Sequence, residues 1–215
     1  NCTYDKTEFF GRPFPQDYRL RLQIVLSVKS SFTMCGRLLR RNILSDNVFS
    51  MPLHTLHEDI ICFSRIMFES RKVSSINRHI YYYRLNTNSI TSRLTEAHVE
   101  GLSLAIADWV KQASRRGLWG DLSSCISEGA EALVDFAVKR IAYTASDNKN
   151  DALIVLKRLW NKVQEYPIDA VNKSDRVGVK LLRQLFDEPS RNLAPHFSEL
   201  LERLELNRPP PHFDT

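Results

Sequence analysis

The apolar positions of this chain change their period partway along it. From about Leu94 onward they recur at steps of three and four: Val99, Leu102, Ile106, Trp109 and Ala113, then Ile126, Ala130, Leu133, Ala137 and Ile141, then Leu153, Leu156, Trp160 and Val163. A helix gathers positions with that spacing on one face, so each run predicts a helix with a core-facing stripe. Gly117, Gly120 and the polar stretches 147–150 and 167–173 punctuate these runs, and two shorter helices are expected around 177–186 and 197–206. Pro209, Pro210 and Pro211 predict an extended tail.

Before Leu94 the pattern is mixed. Residues 1–16, rich in Pro, Gly and aromatic residues, read as an irregular lead-in. Tyr18, Leu20, Leu22, Ile24, Val25, Leu26 and Val28 fit helix or strand, with helix preferred. The apolar and basic block from Met34 to Arg41 reads as a strand or bend feeding a short helix, followed by a polar turn at Ser45, Asp46 and Asn47. A helix opens near Thr55 and carries Ile60, Ile61, Phe63, Ile66, Met67 and Phe68 on more than one face, which predicts extensive burial. Two β-branched and aromatic runs, at about 72–76 and 79–85, are then expected as short strands separated by Asn77 and Arg78. The expected fold class is therefore α+β and mostly helical, with a mixed region 1–93, a helical region 94–215 and a boundary near Arg93.

Composition narrows the classes. The net charge of +5 is spread among acidic residues, as on a solvated surface, and no helix-turn-helix, zinc-finger or ribonucleoprotein signature accompanies it, so nucleic acid is not an expected partner. No run approaches the roughly 20 apolar residues of a membrane span, and no basic-then-apolar signal precedes the first element. Cys2, Cys35, Cys62 and Cys125 form no C-x-x-C pair and read as reduced core residues of a cytoplasmic protein. The chain opens on Asn1 rather than Met, which suggests a fragment or a processed product.

The most suggestive local chemistry is His57-Glu58-Asp59, at the start of the buried helix and just after an irregular stretch. A carboxylate placed there can face a cleft on a rigid backbone and accept a proton. The structural alternative is a capping box, Thr55-x-x-Glu58, with Asp59 favouring the positive helix end. Both can hold at once, Glu58 as cap and Asp59 as base. His54 and His57 could suggest a metal site with this acidic pair, but a spacing of three at a loop-to-helix junction is a weak pattern and no further ligand set converges in sequence. Tyr81-Tyr82-Tyr83-Arg84 reads as a strand with alternate rings buried and Arg84 free to pair with a phosphate. No Ser-His-Asp order, Walker loop or Gly-rich dinucleotide turn occurs.

Taken in order, Cys35-Gly36-Arg37-Leu38-Leu39-Arg40-Arg41, Phe49-Ser50-Met51-Pro52, His57-Glu58-Asp59, Lys72-Val73-Ser74-Ser75-Ile76-Asn77 and Tyr81-Tyr82-Tyr83-Arg84-Leu85-Asn86-Thr87-Asn88-Ser89-Ile90-Thr91 resemble the second half of the bacterial glycosyltransferase family 2. That family, which makes capsule, lipopolysaccharide and exopolysaccharide, carries a K-L-Y-R-R block, a glutamate-aspartate pair on a helix, and short strands with Y-Y-Y-R and N-S-I-T sequences. The resemblance implies the C-terminal portion of a GT-A-like α/β domain followed by a helical tail. It also implies a nucleotide-sugar donor, a saccharide or lipid-linked acceptor, a divalent metal (Mg or Mn) and an inverting displacement at the inner face of the membrane. Asp59 would be the general base and Glu58 an orienting or capping group. Arg84, Ser89 and His57 would contact the donor or substrate. The family's nucleotide-binding βαβ units and Asp-x-Asp metal motif belong before Met34, where this chain has no room for them, so the chain is expected to be the base-bearing part of a longer transferase or an inactive relative. The basic residues Lys111, Arg115, Arg116, Lys139, Arg140, Lys157, Arg158 and Lys162 offer a face for anionic lipid, against the commoner reading of a solvated surface.

Overall fold

Asp17 starts the first helix. Its Oδ1 accepts the Leu20 N–H at 2.7 Å, supplying one of the partners that a helix N-terminus lacks, and α1 follows over Tyr18–Leu26. Our structure, a computed structural model, describes residues 15–75, 81, 94–144, 149–165 and 174–186. After a bend at Cys35 and Gly36 come a single 3-10 turn, Arg41–Ile43, and a short helix α2, Asp46–Phe49. The polar triplet at 45–47 thus initiates a helical turn. The longer helices are α3 (Glu58–Glu69), α4 (Glu96–Arg115), α5 (Trp119–Thr144), α6 (Lys149–Gln164) and α7 (Val177–Phe186).

The mostly helical expectation holds, and among the described residues there is no strand. Residues 72–75 carry none, although a strand was expected at 72–76: β-propensity does not supply a pairing partner, and the Val73 carbonyl is met by the Gln16 side-chain amide at 3.0 Å. The rest of that run, and 79–85 apart from Tyr81, lie outside the described residues. So do the expected helix at 197–206 and the boundary near Arg93.

The 26-residue helix α5, about 39 Å long at 1.5 Å per residue, runs against α1, α4, α6 and α7. Helix α4 joins α5 and α6 to α3, and α3 also packs on α1. One hydrophobic cluster extends from Leu22 to Leu185, and every stripe residue read from the sequence, Leu153 excepted, is buried in it. Leu153 packs on its edge. Trp109 sits near its middle with no exposed surface, its indole N–H donating to Ser64 Oγ at 3.0 Å. Phe32 stacks on Trp109 with centroids 5.8 Å apart and meets Phe63 edge-on at 6.0 Å, so an aromatic ladder crosses from α4 to α3.

Two arginines, one buried and one half-buried, tie the remaining pieces to this core. Arg21, fully buried, donates to the carbonyls of Pro15, Gln16, Ser70 and Arg71, the last two at the negative end of α3. Arg65 grips Asp108 of α4 with two hydrogen bonds, at 2.9 and 2.8 Å, and turns its remaining amine onto the carbonyls of Asn47 and Ser50. The stretch that leads into α3 is thereby fastened to both α3 and α4.

The cysteines depart from the expectation of a buried set. Cys62 is buried and Cys125 half-buried, but Cys35 is exposed, on the turn it shares with Gly36, whose φ is 71°. Cys2 lies outside the described residues.

Candidate site at the start of helix α3

The carboxylates named from the sequence sit where α3 begins, and the approach to them is tightly folded. Thr55 closes a turn on Pro52, its N–H and its hydroxyl both donating to the Pro52 carbonyl, the hydroxyl at 2.6 Å. The expected capping box from Thr55 to Glu58 is therefore absent: the Thr55 hydroxyl is committed backwards, and α3 begins three residues later with His57 as its N-cap. His57 caps without a side-chain bond and holds a left-handed conformation, φ 59° and ψ 32°. His54 is also left-handed, at φ 59°.

This path is pressed against α4. A Cβ at Gly101 would overlap the carbonyl oxygen of Leu56, so only glycine lets the two backbones approach this closely. Leu56 is consequently fixed three residues before Asp59. The capping box that the structure does contain lies on α4, where the Thr95 N–H donates to His98 Nδ1 at 3.1 Å and the Thr95 hydroxyl lies 2.9 Å from the same nitrogen. His98 is buried, and its ring meets that of His57 edge-on with centroids 5.4 Å apart.

Within this frame the three residues differ. Glu58 is exposed at the first position of the helix. Asp59 is half-buried, and its Oδ1 accepts the Ile60 N–H at 2.9 Å. Burial pushes its carboxyl above the usual aspartate range; the Ile60 N–H pulls it down and the neighbouring Glu58 charge pushes it up again. No cation among the described residues pairs with it. His57 is pushed down to about 4 by burial, helped by the charge of His98, and its buried Nε2 has no hydrogen-bond partner among the described residues. The site thus contains a carboxylate with enhanced proton affinity, unpaired among the described residues, beside a neutral histidine, on a backbone held by α4.

Arg84 and Ser89 lie outside the described residues. Among the described residues no group of three or more His, Cys, Asp or Glu side chains could hold a metal ion, and the oxygen-rich set that Mg or Mn prefers is not formed by His57, Glu58 and Asp59. A cavity of about 10 Å³ among Val99, Leu102, Ile106, Leu133, Leu159 and Val163 is an apolar packing gap, too small for a ligand. No helix among the described residues is long and apolar enough to cross a membrane. Several basic residues offered for lipid are paired on the protein: Arg116 with Glu69, Lys139 with Asp135, and Arg158 and Lys162 with Glu100.

Sequence reasoning missed His98 and Gly101, the two α4 residues that shape the approach to Asp59. The pattern Thr95-x-x-His98 resembles a capping box with an unusual last member, and that was its available signal. Comparison with protein-family models, curated proteins and solved structures finds no match to this chain.

Proposed function

We propose that the chain is the acceptor-side part of an inverting glycosyltransferase, which moves a sugar from a nucleotide-sugar donor to a saccharide or lipid-linked acceptor in surface-polysaccharide synthesis. The observation that supports this reading is the state of Asp59, a half-buried carboxylate without a cation among the described residues, its proton affinity raised by burial. In the proposed step the Asp59 carboxylate takes the proton of an acceptor hydroxyl as that oxygen bonds to the anomeric carbon. The bond from that carbon to the diphosphate breaks on the opposite face, and the nucleoside diphosphate leaves with the electron pair. Glu58 would keep the proton affinity of Asp59 high through its charge. Arg84 and Ser89 would contact the donor, as the resemblance implies, and no step is assigned to a metal. Cytoplasmic placement at the inner face of a membrane belongs to the same proposal.

A helical interaction module is the competing reading, and the bond from the Ile60 N–H to Asp59 Oδ1 favours it, since an acid at a helix start often has only that role. Turnover separates the two. With nucleoside diphosphate sugars, Mn and an acceptor panel, the full-length protein carrying this chain is expected to release nucleoside diphosphate. Asp59→Asn should lower that rate by a factor of about a hundred or more while the melting temperature stays within a few degrees. Near-normal turnover in that variant would overturn the base assignment.

A further inference from the structure

The protein balances its inward-drawn arginines in different ways. Arg65 has the Asp108 carboxylate, and Arg21 has four carbonyls, including the end of α3. Arg37 has neither a carboxylate nor a helix terminus. Its Nε donates to the Thr33 carbonyl at 2.5 Å and its Nη2 to the Ser31 carbonyl at 2.7 Å, while its Cζ lies 3.8 Å above the Phe63 ring centroid. Those three contacts fix the guanidinium plane. Among the described residues Nη1 has no hydrogen-bond partner, and the Arg37 side chain is half-buried.

A guanidinium held through Nε and Nη2, with Nη1 unpartnered and no counter-charge among the described residues, is prepared for an oxyanion, because its fork matches two oxygens at once. Burial also pushes Arg37 down to about 10, and no neighbouring acid restores it. Arg40 and Arg41 follow on the same exposed stretch, and neither forms an ion pair among the described residues, so the added field favours a multiply charged anion over a single carboxylate. Phe63 is four residues beyond Asp59, which puts the ring under Arg37 and the carboxylate on one face of α3.

We propose that Arg37 is the centre of an oxyanion-binding site that takes the phosphate group of a phosphate-bearing ligand. The site stands on the Arg37 geometry and does not depend on sugar transfer. The phosphate can belong to a soluble diphosphate or to a lipid headgroup, and two probes distinguish these sources: inorganic pyrophosphate, and phosphatidylcholine vesicles containing phosphatidylglycerol. Pyrophosphate that binds wild type, binds Arg37→Gln at least about tenfold more weakly and binds an Arg40→Gln/Arg41→Gln variant within about threefold of wild type supports a soluble ligand. Vesicle co-sedimentation with the same dependence on Arg37 supports a headgroup. Binding of neither probe, or binding that follows Arg40 and Arg41 instead of Arg37, overturns the proposal. Should Arg37→Gln fail to fold, the Arg37 Nε–H resonance of the wild-type protein gives the same answer: a saturable shift with pyrophosphate or vesicles supports the site, and no shift with either overturns it.

Discussion

His57 holds a backbone conformation that costs a non-glycine residue about 1–2 kcal/mol, and its neutral ring is kept against His98 with Nε2 buried. A histidine pushed down to about 4 binds fewer protons in the folded chain than in the unfolded one between pH 4 and 6.5. Its contribution to stability is therefore complete above pH 6.5 and is lost as the pH falls through that window. The loss amounts to roughly 2 kcal/mol between pH 7 and about pH 4.5. Asp59, raised by burial, contributes with the opposite sign: its term favours the fold at low pH and fades as the pH rises through the folded value. Comparison with His57→Asn, which tolerates the left-handed region, isolates the histidine. Urea melts should show a shallower acid loss in the variant, and parallel pH profiles would show that His57 does not titrate as described. At this scale the acidic pair was legible because a polar cluster before a buried helix has few other readings. The cap was not, since nothing in Thr55-x-x-Glu58 reveals that His57 turns left-handed and delays the helix.

Helices α3 and α4 were legible as elements from their apolar spacing, and burial of Ile60, Ile61, Phe63, Ile66, Met67 and Phe68 on several faces agrees with the reading of α3 as an interior helix. Their mutual approach was not legible, because it depends on one glycine in a run that reads as ordinary helix. Gly101→Ala must push the Leu56 carbonyl away, and overpacking of that kind costs about 2 kcal/mol or more. Gly117→Ala makes the useful contrast. That residue ends α4 with a φ of 66°, and a Cβ there would have nothing within 4 Å, so only the conformational cost of about 1 kcal/mol applies. Chemical denaturation should rank Gly101→Ala as the more damaging change, with Asp59 chemistry disturbed in that variant alone. Equal effects would mean that the contact between Leu56 and Gly101 is looser than described. Residues 72–75 of the expected strand at 72–76 carry no strand for a related reason, since residue preference is local whereas a strand requires a partner, and nearly all of the run 79–85 expected beside it lies outside the described residues.

Across the whole molecule, the cluster around Trp109 and the Arg65–Asp108 pair fix the approach to α3. The pair is largely buried, with side-chain exposures of 14% and 7%, so Asp108→Ala strands a cation and should cost about 3 kcal/mol in a denaturant melt. A cost below about 1 kcal/mol would show that water rescues Arg65. The helical stripes that build this body were legible as spacing; the polar ties across it were not, since Arg65 and Asp108 lie 43 residues apart in sequence. The account depends most heavily on Asp59 being a carboxylate with raised proton affinity, and that property can be measured before any substrate is known. Carboxyl-detected NMR titration of Asp59 should give a midpoint above the usual aspartate range, moving down in Glu58→Gln. A midpoint at or below that range, unmoved by Glu58→Gln, would contradict the account.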